Sequence, residues 1–239
     1  MLTISLTPSD ELTAAQIDEL YALAGRAGFQ FERGYIEKAH FVHRPTIVMA
    51  HRDGRLLGLQ SYNTYQLQTP FFRRKVPFIY GGLAFQDHTL AGRGLSYRLS
   101  RFYMRQTLGR FFFLRRYAFA IRTPTPRLMQ ILSVQHRLVH FKNGLLTPDV
   151  VQFAQQFARN VRRMADPISD QLIVQDRPSN LDISAQWATL FRASEDYYNQ
   201  LAFDADLIAE RDNYYFLTGK YLLLLGNSSI RQLLHSLIA

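Results

Sequence analysis

At 239 residues, 47% of them hydrophobic and 20% charged, the chain has the composition of a globular protein with a substantial core and excludes a disordered segment. It contains no cysteine, which excludes disulfides, thiolate metal sites and a cysteine nucleophile. The formal net charge of +9 calls for an anionic partner or a solvated basic face, and no apolar run reaches the ~20 residues of a membrane-spanning helix.

The N-terminus carries neither the basic nor the apolar region of a signal peptide, which predicts cytoplasmic residence. Residues 2–6 read as a short strand, and Thr7-Pro-Ser-Asp-Glu-Leu-Thr13 as a turn with helix-capping chemistry. Ile17, Leu20, Tyr21 and Leu23 then fall near helical spacing, predicting an amphipathic helix over 14–25 that Gly28 ends. Residues 29–41 predict a second helix carrying Glu32, Tyr35, Glu37 and Lys38, with Pro45 at its exit. Asp53-Gly54 lies between strand-like runs at 46–50 and 56–62, a hairpin whose second strand extends towards Gln68.

The next stretch organises the rest. Residues 75–85 predict a strand, Ala91-Gly-Arg-Gly-Leu-Ser96 a loop, and 96–108 a helix with Tyr97, Leu99, Phe102 and Tyr103 set against Arg98, Arg101 and Arg105. A strand over 116–122 follows, then Thr123-Pro-Thr-Pro-Arg-Leu-Met129, whose Thr125-Pro126 pair opens a helix over 127–139. A Gly-x-Gly loop between strand and helix lets the backbone approach a phosphate and aims the helix's unpaired N–H groups and positive dipole end at it. Charge gathers in the same place: eleven of the 28 lysines and arginines lie between Asp87 and Asp149, an interval without Asp or Glu, and the other 17 are outnumbered by 19 acidic residues.

Beyond Gly144, Thr147-Pro148 caps a helix to about Met164, 171–175 read as a strand, and 184–198 as a helix holding Trp187. Residues 210–219 lead into an apolar strand at 221–225, and 228–238 predict a closing helix. His136-x-x-x-His140 has ligand spacing, but no carboxylate accompanies it within that basic helix; His40-x-x-His43 is weighed the same way, and no metal site is predicted. Phe71-Phe-Arg-Arg-Lys75 and Arg110-Phe-Phe-Phe-Leu-Arg-Arg116 interleave aromatics with cations, a pattern that stacks bases but more often marks snorkelling arginines over an apolar face. Nucleic acid is therefore the weaker reading of the basic block.

The order strand, Ala91-Gly-Arg-Gly-Leu-Ser96, helix, strand, Thr-Pro-Thr-Pro-Arg-Leu-Met129 resembles the acyl-thioester-binding half of the GNAT (GCN5-related) N-acyltransferase superfamily over residues 1–141. Ala91 stands where a basic residue is usual in that loop, and Ser96 where Gly or Ala is usual. The resemblance implies an α/β (α+β) fold, a mixed, central twisted sheet flanked by helices, with a helix-rich C-terminal extension. It divides the chain into a core at 1–144 and a part at 145–239 that completes the fold as acceptor side, lid or interface. It also implies pantetheine along Leu83, Ala84 and Phe85 with a backbone N–H as oxyanion donor, and phosphate on the amides of Gly92, Arg93, Gly94, Leu95 and Ser96; Thr123 joins this cofactor-binding set.

For the proton leaving the amine, Glu37 and Asp87 are candidates, with Glu32 and His88 nearby in sequence. The family's tyrosine acid on the helix after the fifth strand has no counterpart between Thr123 and Phe141, so Tyr80 or Ser133 is the substitute. The activity implied is transfer of an acyl group, longer than acetyl given the 18 Phe and 13 Tyr, to a primary amine of an amino acid, peptide or protein. The donor is acyl-CoA or a phosphopantetheine-linked acyl group on an acidic acyl carrier protein, without a metal. The alternative is a non-catalytic module of the same fold that binds an acidic protein or nucleic acid.

Overall fold

A computed structural model of the protein describes residues 1–29, 31–90, 92–138, 146–162, 169–175, 182–183, 192–211 and 214–228. The strands are β1 (Leu2–Pro8), β2 (Thr46–Arg52), β3 (Arg55–Thr69), β4 (Phe72–Gln86), β5 (Ala118–Thr123), β6 (Arg137–Leu138), β7 (Ile173–Gln175), β8 (Asp182–Ile183), β9 (Ile208–Arg211), β10 (Tyr214–Leu217) and β11 (Lys220–Asn227). The helices are α1 (Ala14–Arg26), α2 (Tyr35–Ala39), α3 (Leu95–Leu108), α4 (Pro126–Gln135), α5 (Pro148–Gln156) and α6 (Asp196–Asp204). The principal sheet has the order β1-β2-β3-β4-β5-β11-β6, with β7 also paired to β11, and β8-β10-β9 form a second sheet. The pairings β1–β2, β2–β3, β5–β11 and β6–β11 are antiparallel, so the fold is mixed α/β around a largely antiparallel sheet. No helix among the described residues is long and apolar enough to cross a membrane.

The chain forms two compact units, Met1–Thr64 with Ile79–Arg115 and Tyr65–Phe78 with Arg116–Ala239. A cut at 144 therefore falls inside the second unit, because β11 pairs with β5 and β6 from the other side of that cut.

In the first unit α1 begins at a reciprocal cap: the Gln16 amide donates to the Thr13 hydroxyl at 3.3 Å, and the Thr13 amide donates to the Gln16 side chain at 2.9 Å. Leu20, Leu23 and Ala24 form its buried face. The β2–β3 turn places Asp53 at φ 53° and Gly54 at φ 76°, the paired left-handed geometry that a two-residue hairpin requires. The helix expected over 29–41 is shorter: Gly34 sits at φ 86° and starts α2 only at Tyr35, since a left-handed residue cannot continue a right-handed helix. Ile36, Ile47, Met49, Leu56, Leu59 and Leu99 are fully buried here.

In the second unit β11 is buried from Leu222 to Leu225 between β5 and its other partners. A β-carbon at Gly226 would stand 2.7 Å from Phe119 and 2.8 Å from Leu138, so glycine is what lets those side chains close over the strand. Phe157 packs on Phe78 at 4.8 Å, and Phe153 on Phe78 at 5.4 Å between ring centres. The helix expected over 184–198 is only partly covered by the described residues. Residues 184–191 lie outside the described set, 192–195 are not helical, and α6 runs from Asp196 to Asp204. Asn199 explains the late start, because its amide side chain brackets the backbone N–H and C=O of Ala193 at 2.9 and 3.0 Å and holds that segment out of the helix. The closing helix expected over 228–238 lies outside the described residues beyond Ser228.

Candidate functional site

In the first unit, β4 delivers the chain to the glycine loop and α3. Gly92 and Gly94 are both left-handed, at φ 76° and 72°, and residues 92–94 and Ser96 are exposed. Gly94 is the N-cap and offers no capping side chain, and the first intrahelical bond is Arg98 N–H to Gly94 C=O at 3.1 Å. The amides of Leu95, Ser96 and Tyr97 are therefore those a helix leaves without an internal acceptor, and they sit at its positive end.

Two contacts fix this turn in place. A β-carbon at Gly58 would fall 2.7 Å from the Leu95 side chain, so glycine there lets α3 seat its first residue on β3. The Ser96 hydroxyl donates to the Gln86 side chain at 3.0 Å and ties the helix start to the end of β4.

Along β4 one backbone donor is met by a side chain of β3. The Leu83 N–H donates to the Ser61 hydroxyl of β3 at 2.7 Å, and a β-carbon at Gly82 would lie 2.5 Å from that same oxygen. Gly82 is thus required by the close approach of Ser61. Four residues on, the Asp87 N–H donates to Leu57 C=O of β3 at 2.8 Å. Backbone N–H groups alternate sides along a strand, so the amides of Leu83 and Asp87 face β3 and that of Ala84 points away from it. Within the 83–85 stretch, the Leu83 amide is thereby engaged by Ser61, and Ala84 is exposed. Phe85 is buried on the β4 face that meets Phe29 and Phe31, at 5.2 and 5.7 Å, and Phe31 stacks on Tyr35 at 5.1 Å. This aromatic wall is half-buried at Phe29 and Phe31 and exposed at Tyr35.

The acid–base candidates separate clearly. Glu37, half-buried on α2, accepts a hydrogen bond from the Tyr21 hydroxyl at 2.6 Å, and the same phenol oxygen accepts from Ile36 N–H at 3.1 Å. Burial, reinforced by Glu37, raises the Tyr21 pKa, so the phenol stays protonated as the donor.

Asp87 is fully buried and meets Arg26 at 3.0 Å and Arg55 at 2.8 Å, while the Thr89 hydroxyl and amide donate to its other oxygen at 2.7 and 3.2 Å. Burial alone would push its carboxyl up, but Thr89, Arg26 and the charge of Arg55 outweigh it and hold the pKa at about 2. This corrects the expectation of Asp87 as proton acceptor: a carboxylate so stabilised is a poor base and a good anchor for β4, α1 and β3. His88 lies at the surface of the same group, its Nδ1 3.3 Å from Arg26 C=O. Glu32 is exposed, and Tyr80 is buried on β4.

In the second unit, Thr123 closes β5, buried, with its hydroxyl accepting the Thr125 N–H at 3.0 Å. This bond shapes the turn into α4. On α4 the Ser133 hydroxyl lies 2.5 Å from the hydroxyl of Tyr198 on α6. Gln130, one turn earlier, binds Ser194 through both its amide atoms. His136 ends α4 in extended conformation against Phe119, 4.6 Å between rings, and burial lowers its pKa to about 4. It is neutral and α4 ends before it, while His140 lies outside the described residues.

Sequence reasoning missed Ser61, Tyr21 and Tyr198. The first two were read only as strand and helix-face residues, and Tyr198 only as the end of a helix.

No family model matches the sequence, and no curated protein is similar to it. Among solved structures, the chain is similar to an acyl-CoA N-acyltransferase from Pseudomonas aeruginosa, at 16% identity over 59% of this chain and 90% of that one, TM-score 0.40. It is also similar to ElaA from Escherichia coli, at 10% identity over 55% and 86%, TM-score 0.38. A third is Naa50 from Arabidopsis thaliana in complex with the bisubstrate analogue CoA-Ac-MVNAL, at 11% identity over 54% and 77%, TM-score 0.35.

Proposed function

We propose that the protein is a GNAT-type N-acyltransferase that moves an acyl group from a CoA or carrier-protein thioester to a primary amine. The observation that carries this reading is the uncapped start of α3: two left-handed glycines, exposed backbone, and a helix N-terminus tethered to β4 through Ser96 and Gln86. The amides of Leu95, Ser96 and Tyr97 bind the donor's phosphate, with Gly92 and Gly94 allowing close approach and Arg93 adding charge. The pantetheine arm runs along 83–85, and the Ala84 N–H donates to the oxyanion.

The reaction balances without a redox partner. The neutral amine attacks the thioester carbonyl, forming the C–N bond; its proton passes to Glu37, directly or through water. The tetrahedral intermediate collapses as the C–S bond breaks, and the leaving thiolate takes a proton from Tyr80. Asp87 takes no part in proton transfer. Thr123 shapes the turn that opens α4.

A donor longer than acetyl is supported by the Phe29, Phe31, Tyr35 and Phe85 wall next to Ala84, which offers an apolar surface that acetyl does not need. The acceptor is then an amino acid, peptide or protein amine. A second reading, a non-catalytic module binding an anionic partner, is favoured by the absence of tyrosine on α4.

The test is release of free thiol from acyl-CoAs and acyl carrier proteins of increasing chain length, mixed with a panel of primary amines. The proposal expects amine-dependent thiol release that Gly94→Glu abolishes. Absence of release with every donor and amine overturns it in favour of the binding module.

A further inference from the structure

We infer that the exposed 109–115 turn, together with the arginine stripe of α3, docks the protein onto an anionic lipid bilayer. Gly109, at φ 90°, ends α3 and sends the chain into a short turn closed by its own backbone bonds: Phe112 N–H to Gly109 C=O, Leu114 N–H to Phe111 C=O and Arg115 N–H to Phe112 C=O, each 3.0 Å. This fixed turn exposes three large apolar side chains, Phe111 at 60%, Phe113 at 36% and Leu114 at 59%. Phe112 is half-buried and meets Phe113 edge-on at 5.9 Å. Soluble surfaces scatter such residues singly, so three within four positions mark an interaction site.

The charge beside the turn has one sign. Arg98, Arg101 and Arg105 are exposed at i, i+3 and i+7, one stripe of α3, and the exposed Arg110 and Arg115 bracket the apolar residues. The sequence between Asp87 and Asp149 holds no Asp or Glu. Apolar side chains ringed by cations are the composition of an interfacial anchor, with the apolar groups at the acyl boundary and the guanidiniums among anionic headgroups.

Nucleic acid fits the charge but not the rings. Phe111 and Phe113 meet at 78° and Phe112 and Phe113 at 79°, and Arg110 covers Phe111 at 5.8 Å, so the rings do not form a parallel platform for bases. An acidic protein also fits the arginines, but it would need a matching pocket for each apolar side chain, whereas the bilayer boundary accepts them without one.

Co-sedimentation with phosphatidylcholine vesicles, with and without about one third phosphatidylglycerol, tests this independently of any enzymatic activity. The wild-type protein is expected to partition onto the anionic vesicles only. The triple substitution Arg101→Gln, Arg105→Gln, Arg110→Gln should lower that partitioning about a hundredfold, and added salt should weaken it similarly. Phe111→Ser with Leu114→Ser keeps the charge yet should cost at least about tenfold. Both variants alter exposed side chains and are expected to melt at the wild-type temperature, so loss of binding is not loss of fold.

Failure of the wild type to bind anionic vesicles overturns the inference, as does unchanged binding by the serine variant, which would reduce the surface to a charge patch. Tighter binding to a single-stranded oligonucleotide, with none to vesicles, would assign the surface to nucleic acid instead.

Discussion

The Ser61–Gly82–Leu83 contact makes a specific energetic prediction. The Ser61 hydroxyl accepts the buried Leu83 N–H at 2.7 Å and occupies the space where a β-carbon at Gly82 would be, 2.5 Å away. Ser61→Ala leaves the Leu83 donor unpaired, at a cost of about 1–3 kcal/mol. Gly82→Ala must drive the hydroxyl off and loses the same hydrogen bond, so it should cost about 1–3 kcal/mol as well. Once Ser61 is alanine the obstruction is gone: the remaining neighbours of the new methyl are the residue-61 carbonyl oxygen and β-carbon at 3.7 and 3.9 Å, ordinary contacts. Gly82→Ala in that background should therefore be neutral or stabilising by about 0.4–1 kcal/mol through the unfolded chain. The double-mutant cycle, read by urea unfolding, should show a coupling of about 2 kcal/mol. Equal costs of Gly82→Ala in both backgrounds would refute the assigned geometry.

Asp87 carries the pH prediction. Its folded carboxyl sits at about 2 against an ordinary 3.8, so its contribution is present above the unfolded value and lost as pH falls from there towards the folded one. The wild type should lose about 2 kcal/mol over that window, and Asp87→Asn, already destabilised at neutral pH, should not show that loss; identical acid limbs in urea titrations would contradict it. Glu37→Gln should lower kcat about 10²–10⁴-fold with little change in KM for the thioester, and Tyr21→Phe should lower it less; a KM effect alone would make Glu37 a binding residue. At Gly94, with its left-handed φ of 72°, Asn should keep stability and thioester binding, whereas Glu should lose binding through charge and about 1–2 kcal/mol through strain, as thermal melts and direct binding would report.

What the sequence conveyed depended on whether the signal was local. The β2–β3 hairpin follows from Asp53-Gly54, whose left-handed pair dictates the turn, and α3 follows from Leu99 and Tyr103 behind two glycines, although Tyr97, expected with them, is exposed and Leu95 is buried instead. Gly34 was just as local but sits among residues of good helical pattern, so the helix seemed to run through it when its φ of 86° forbids that. β9 starts before the 210–219 stretch and β10 lies within it, a stretch that lacks an alternating pattern of its own, and β10 meets its partners β9 and β8 only in three dimensions. Asp87 was read as a candidate proton acceptor because its guanidinium partners, Arg26 and Arg55, are far away in the chain. Ser61, which engages the Leu83 amide, acts across the sheet and leaves no mark on β3 itself. The glycine loop at the start of α3 was legible because its glycines, strand and helix are consecutive.

Titration calorimetry of CoA and of acyl-CoAs of increasing chain length, against the wild type and Gly94→Glu, tests the thioester-binding claim most directly. The account predicts binding by the wild type that strengthens with acyl length and is absent in Gly94→Glu. Heat-silent titrations with every thioester, or equal binding by the Glu variant, would contradict it.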